Sequence, residues 1–156
     1  MRPNKDMKKL ISGLALLTLA GMLITSCRGT GTDESFDVMI ENAEDVGSLQ
    51  IALSYDAAVI EITEVEAAEL SKNALLEFNK DTAGFLTIGV VDSMGIDGGG
   101  PIATVSYKVL QKDGDCPLRI IETQAFDTDN LVDISMKLTD GMISGGKASP
   151  PLLQFR

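Results

Sequence analysis

The sequence predicts an all-β sandwich, on three observations. From Ser35 onward apolar and polar residues alternate with period two. Turn-forming residues interrupt that rhythm roughly every eight to twelve positions, the spacing typical of sandwiches and barrels. One stretch alone, residues 66–76, departs from the pattern with helical spacing. Alternation at 180° per residue marks a strand with one face buried.

The elements follow in order. Phe36, Val38 and Ile40 alternate with Asp37, Met39 and Glu41. Leu49, Ile51, Leu53 and Tyr55 alternate with Gln50, Ala52 and Ser54, the cleanest half-buried strand in the chain. Val59 to Val65 is a β-branched stretch broken by Glu61 and Glu64. Residues 66–76, EAAELSKNALL, place Ala67, Leu70 and Ala74 at helical intervals and predict a single helical turn across one end of the sandwich. Phe85 to Val91 is nearly all apolar, so it is expected to be covered on both faces. Ile102 to Leu110 is β-prone through Val105, Tyr107 and Val109. Leu118 to Thr123, Ile134 to Leu138 and Gly141 to Ser144 supply the last strands. Asp45-Val46-Gly47, Asp81-Thr82-Ala83-Gly84 and Lys112-Asp113-Gly114-Asp115 read as turns, and Asp97-Gly98-Gly99-Gly100-Pro101 as the loosest loop. The tail, residues 147–156, carries Pro150-Pro151 and is expected to be irregular.

Ahead of this lies a different kind of segment. Arg2, Lys5, Lys8 and Lys9 precede an apolar run from Leu10 to Ile24. That run falls short of the ~20 residues a membrane span requires and suits the apolar core of a secretory signal peptide. Its end, Ile24-Thr25-Ser26-Cys27, resembles the bacterial lipobox. The resemblance implies a signal peptide over 1–26, lipidation of Cys27, and an extracytoplasmic protein held to a membrane by its lipid. Several acyl chains give firm anchoring where one does not. Residues 27–34 are small and polar and read as a tether. Arg28, which replaces the aspartate associated with inner-membrane retention, favours the cell surface or an outer membrane.

From Cys27 onward 130 residues remain, enough for one core. Removing Asp6 and the four leading bases leaves 22 acids and 9 bases, a charge of about −13. Such an excess repels polyphosphate and argues against nucleic acid as a partner. Lipidation of Cys27 leaves Cys116 alone, best read as a small buried hydrophobe. Without histidine there is no Ser-His-Asp or Cys-His centre and no Cys/His zinc site. Carboxylates are plentiful, but nothing singles out a glycosidase pair. Asp127-Thr128-Asp129-Asn130, with Asp133 beyond, has the acidity of a calcium loop, but Leu131 and Val132 stand where an EF-hand needs a ligand and a glycine. A solvated loop is the preferred reading there. The sequence thus predicts no enzyme, no cofactor and no metal site.

Three pieces in order are similar to the cohesin modules of cellulosome scaffolding proteins, from Ser35 to Gly145. They are Gly47 to Asp56 with Val59-Ile60-Glu61-Ile62; Ile102 to Val109; and Phe126 to Val132 followed by Thr139-Asp140-Gly141-Met142-Ile143. The resemblance implies a jelly roll of about nine strands over residues 35–146, akin to carbohydrate-binding modules, that docks a dockerin-bearing protein on a sheet face. Carried over residue by residue, it places partner contacts at Ser48, Gln50, Phe78, Ile88 and Val91. Tyr55-Asp56 identifies the fold, with the ring buried and the carboxylate capping the next turn. Two alternatives stay open, a carbohydrate-binding module and a structural subunit of a surface assembly. Sugar sites favour exposed aromatic platforms, and this chain has no Trp.

Overall fold

A computed structural model describes residues 33–129 and 133–156. The signal-like segment, Cys27 and most of the tether lie outside the described residues, as do Asn130, Leu131 and Val132 of the acidic loop. Nine strands follow one another: β1 (Asp33–Ser54), β2 (Ile60–Ala67), β3 (Leu75–Asn79), β4 (Phe85–Val109), β5 (Cys116–Asp127), β6 (Met136–Thr139), β7 (Gly141–Ser144), β8 (Lys147–Ser149) and β9 (Leu152–Phe155). One 3-10 turn, Glu69–Ser71, interrupts them. The fold is the expected jelly-roll sandwich.

β1 and β4 form its frame. They pair antiparallel along almost their whole length, from Asp33↔Lys108 to Ser54↔Phe85. The first half of β1 is flanked by the second half of β4, which carries β2 beyond it, and by a parallel β9, which carries β6. The second half of β1 is flanked by the first half of β4, which carries β3, and by β5. β5 passes through Cys116–Leu118 to β7, and β7 to β8. One bonded network therefore bends into two layers, as strands do when they change sheet at bulges.

The bend lies where turns were expected. Asp45-Val46-Gly47 and the glycine-rich Asp97–Pro101 segment do not end strands; they are bulges facing each other across the β1–β4 pair, with register shifts from Ile40 to Ser48. Asn42 (φ 56°) and Asp45 (φ 52°) take the left-handed conformation that Asn and Asp tolerate best. The inward set accordingly changes parity, from Phe36, Val38 and Ile40 to Leu49, Ile51 and Leu53. Asp45 locks the corner. Its N–H donates to Asp97 Oδ1 (2.8 Å), and Thr128 Oγ1 donates to its carboxylate (2.7 and 2.8 Å). A Cβ on Gly95, whose φ is 79°, would press on the Asp45 carboxylate and strain the backbone, so glycine suits this position best.

The core fills the space between the layers. Tyr107, Ile40, Leu49, Ile51, Leu53, Ile60, Leu86, Ile88 and Ile102 are its largest fully buried members, with Phe36 and Tyr107 rings 5.9 Å apart. One further expectation is corrected. The tail is not irregular, because β8 and β9 occupy it and β9 buries Leu153 and Phe155. The prolines cause no break because they precede β9, where Pro151 has only to accept, taking the Met39 N–H at 2.9 Å. Residues 66–76 hold the expected single helical turn, as the 3-10 turn Glu69–Ser71, and their last two residues begin β3.

Candidate functional site

The outer face of the β3-β4-β1-β5 layer leaves several apolar side chains open among polar ones. Phe85–Val91 was expected to be covered on both sides. Instead Leu86, Ile88 and Val90 are buried, while Phe85 and Val91 are 48% and 53% exposed. The reason is visible in the sequence: the alternate positions are Phe85, Thr87, Gly89 and Val91, a mixed set, against three aliphatics facing inward.

Directly paired residues share a face, so the registers lay out a grid. Across the strands from β3 to β5 the rows are Leu75, Val91, Ser48 and Phe126; then Glu77, Gly89, Gln50 and Gln124; then Asn79, Thr87, Ala52 and Glu122. A last, shorter row holds Phe85, Ser54 and Arg119. At about 4.8 Å between strands and about 6.8 Å between rows, the grid covers roughly 15 by 20 Å. That suits one side of an α-helix about 10 Å across. Gly89, Ser48, Ala52, Ser54 and Thr87 keep β1 and β4 low around the exposed Gln50, and larger apolar groups stand toward the ends. Leu75 is 64% exposed, and Ile121, at the register shift in β5, is 53% exposed. Small residues in the middle let a partner backbone approach closely, and apolar groups around them exclude water.

The five residues assigned by resemblance divide on this geometry. Gln50 is exposed at the middle of the grid, with Ser48 beside it, half-buried, next to Val91. Those three lie together on one face. Ile88 does not: it is fully buried in the core, so its assignment as a partner contact is corrected. Phe78 is paired with Ile88 and packs its half-buried side chain against the core from β3. Both sit at inward positions of the alternation. Sequence reasoning missed Leu75, Glu77, Phe85, Gly89, Arg119 and Glu122. Leu75 fell within the segment read as a helical turn, and Phe85 and Gly89 within a strand read as doubly covered.

Asp56 caps its turn as expected, whereas the Tyr55 ring, expected to be buried, is only partly so. Tyr55 is half-buried against the core, and Asp56 Oδ1 accepts the Ala58 N–H at 2.9 Å. Cys116 is buried and free, its Sγ accepting the Asp56 N–H at 3.3 Å, and burial pushes its thiol above the ordinary range. Tyr107 is buried too, which removes it as a sugar platform. Among the described residues no three His, Cys, Asp or Glu side chains gather as a metal site.

The chain is thus a β-sandwich with one layer open on its outer face. The sequence matches the cohesin domain over residues 28–144, and the chain belongs to the cohesin family. Solved structures agree. A non-cellulosomal cohesin from the archaeon Archaeoglobus fulgidus is 25% identical, with a TM-score of 0.62 and 80% of each chain covered. The sixth cohesin of Acetivibrio cellulolyticus scaffoldin B, solved with a Cel5 dockerin, has a TM-score of 0.66 at 17% identity, covering 73% of this chain and 89% of that one. The OlpA cohesin of Clostridium thermocellum, solved with Doc918, has a TM-score of 0.64 at 16% identity, covering 80% and 89%. Comparison with curated proteins gives no match.

Proposed function

We propose that this chain is a lipid-anchored, extracytoplasmic cohesin that docks a dockerin-type partner on the β3-β4-β1-β5 face. The observation that carries the reading is the open side of that layer. Among the described residues eight large apolar side chains are substantially exposed, three of them (Leu75, Phe85 and Val91) on this one face, with Ile121 at the register shift of β5. Scattered exposed apolar residues are ordinary, and their gathering on one sheet face, with Leu75 and Val91 directly paired, supports an interaction surface. The similar cohesins of scaffoldin B and OlpA were solved holding dockerins, which supports a partner of that class. Likeness to a cohesin described as non-cellulosomal supports a role outside a multi-enzyme array.

The module acts by binding, and no catalytic role is assigned to it. Gln50, Ser48 and Val91 contact the partner, with Ile88 and Phe78 supporting the face from below. The anchor is the lipid on Cys27. The reading is tested by measuring binding of the dockerin modules encoded in the same genome to the full chain in detergent micelles. One or more is expected to bind, and Gln50→Arg is expected to weaken it with no loss of fold. Failure of every dockerin, or equal binding by the variant, rejects the docking face. Cys27→Ser is expected to move the protein from the membrane to the soluble fraction, and unchanged fractionation rejects the anchor.

A further inference from the structure

The last row of the grid differs from the others in carrying a cation, and it opens into a cleft of about 540 Å³. Ser54 forms the floor, with Phe85 paired to it on one side and Arg119 on the other. These two therefore stand about 10 Å apart across a small residue. Tyr55 and Pro117 close the end of the cleft. Arg119 is exposed, and its guanidinium makes no hydrogen bond or ion pair among the described residues. The other charged group in the lining, Asp56, has Oδ1 held by the Ala58 amide in its own turn.

Like most bases among the described residues, Arg119 has no acidic partner of its own, so its charge is available to a ligand. On this face it is the only base, while Glu77 and Glu122 lie in the middle rows. We infer that the Phe85–Ser54–Arg119 cleft is the specificity anchor of the docking face, and that it takes an aspartate or glutamate side chain of the partner. Guanidinium and carboxylate match in a planar, two-bond geometry that neither lysine nor a neutral group reproduces. The Phe85 ring and Pro117 would cover the methylenes of the acid and exclude water around the pair. The inference rests on the docking reading, because the cleft is continuous with the face and shares its last row. That continuity also favours a protein side chain over a free small acid.

The test uses a displayed library on a dockerin scaffold, randomised at its exposed helix positions and selected on the full chain in detergent micelles. Selected binders are expected to be enriched in Asp or Glu at one position. Their affinity is expected to fall about tenfold or more on Arg119→Glu, the loss usual for a desolvated charge pair. Arg119→Glu used as the selecting chain is expected to enrich Lys or Arg at that same position. Arg119 is exposed, so neither chain is compromised in folding. Binders without acid enrichment, or indifferent to Arg119→Glu, overturn this anchor and leave the docking face standing. A library that yields no binder on either chain overturns both.

Discussion

Tyr107 joins the two halves of the frame through one hydroxyl. Its ring is buried against Phe36, and its O–H donates to Glu34 Oε2 at 3.0 Å. Burial first, and the Glu34 carboxylate second, push the phenol from 10.0 up to about 12. The folded state thus favours the neutral ring. Its contribution is complete below pH 10 and disappears as the pH rises toward 12. A shift of that size corresponds to about 2–3 kcal/mol over the window. Melting temperatures of the wild type are expected to fall more steeply there than those of Tyr107→Phe, and parallel slopes would show that other groups set the alkaline limit. Ser71 works similarly on the same half of β4. It is the only buried polar residue among those described, donating to the Ile102 carbonyl while accepting the Ala68 N–H at 3.0 Å. Ser71→Ala leaves both backbone groups without that partner. A loss of about 2–3 kcal/mol in chemical denaturation is expected, since each unmet buried group costs about 1–3 kcal/mol.

At the scale of elements, β9 closes the sandwich. It lies parallel to β1 through Met39↔Leu152 and Ile40↔Leu153, covers that strand's edge, and inserts Leu153 and Phe155 into the core. Phe155→Ala is expected to cost about 3–5 kcal/mol, the range for deleting a buried aromatic ring. A change below 1 kcal/mol would mean that the tail only rests on the domain. This strand was illegible in the sequence because two prolines precede it, and proline usually argues against a strand. Here they fall just ahead of the ladder, where no N–H is required. The opposite error occurred at Asp45–Gly47 and Asp97–Pro101, whose composition reads as turn. Bulges and turns draw on the same residues because both need left-handed backbone, so composition could not show that β1 and β4 run through the corner. Where alternation was strict, as from Leu49 to Leu53, both the strand and its faces were readable, and Gln50 was placed outward correctly. At the candidate site, Ile88 went wrong because the family correspondence gave a position along the strand without its side. The alternation of Leu86, Ile88 and Val90 would have supplied it.

For the whole molecule, the sandwich leaves one layer with an apolar outer side. Leu75 and Val91 are paired across β3 and β4 at one end of that face, and both project away from the core. Their exposure means the folded protein gains little from them, since surface substitutions away from special features usually change stability by about 0.5 kcal/mol or less. Their conversion to aspartate would introduce two carboxylates beside Glu77, where a partner must be desolvated. Leu75→Asp with Val91→Asp is therefore expected to leave the denaturation midpoint near that of the wild type, while partner affinity falls about a hundredfold, as for loss of an interface hot spot. Leu110 provides the control. It is 56% exposed, comparable to Val91, but lies beyond the end of β4 on the far side of the corner. Leu110→Asp makes a similar chemical change outside the grid and is expected to leave binding unaltered. If both variants weaken the partner equally, general charge repulsion from an already acidic chain is responsible and the face has no special part in recognition. If the paired variant unfolds, the two side chains contribute to packing despite their exposure, and the outer side of this layer is closed rather than open.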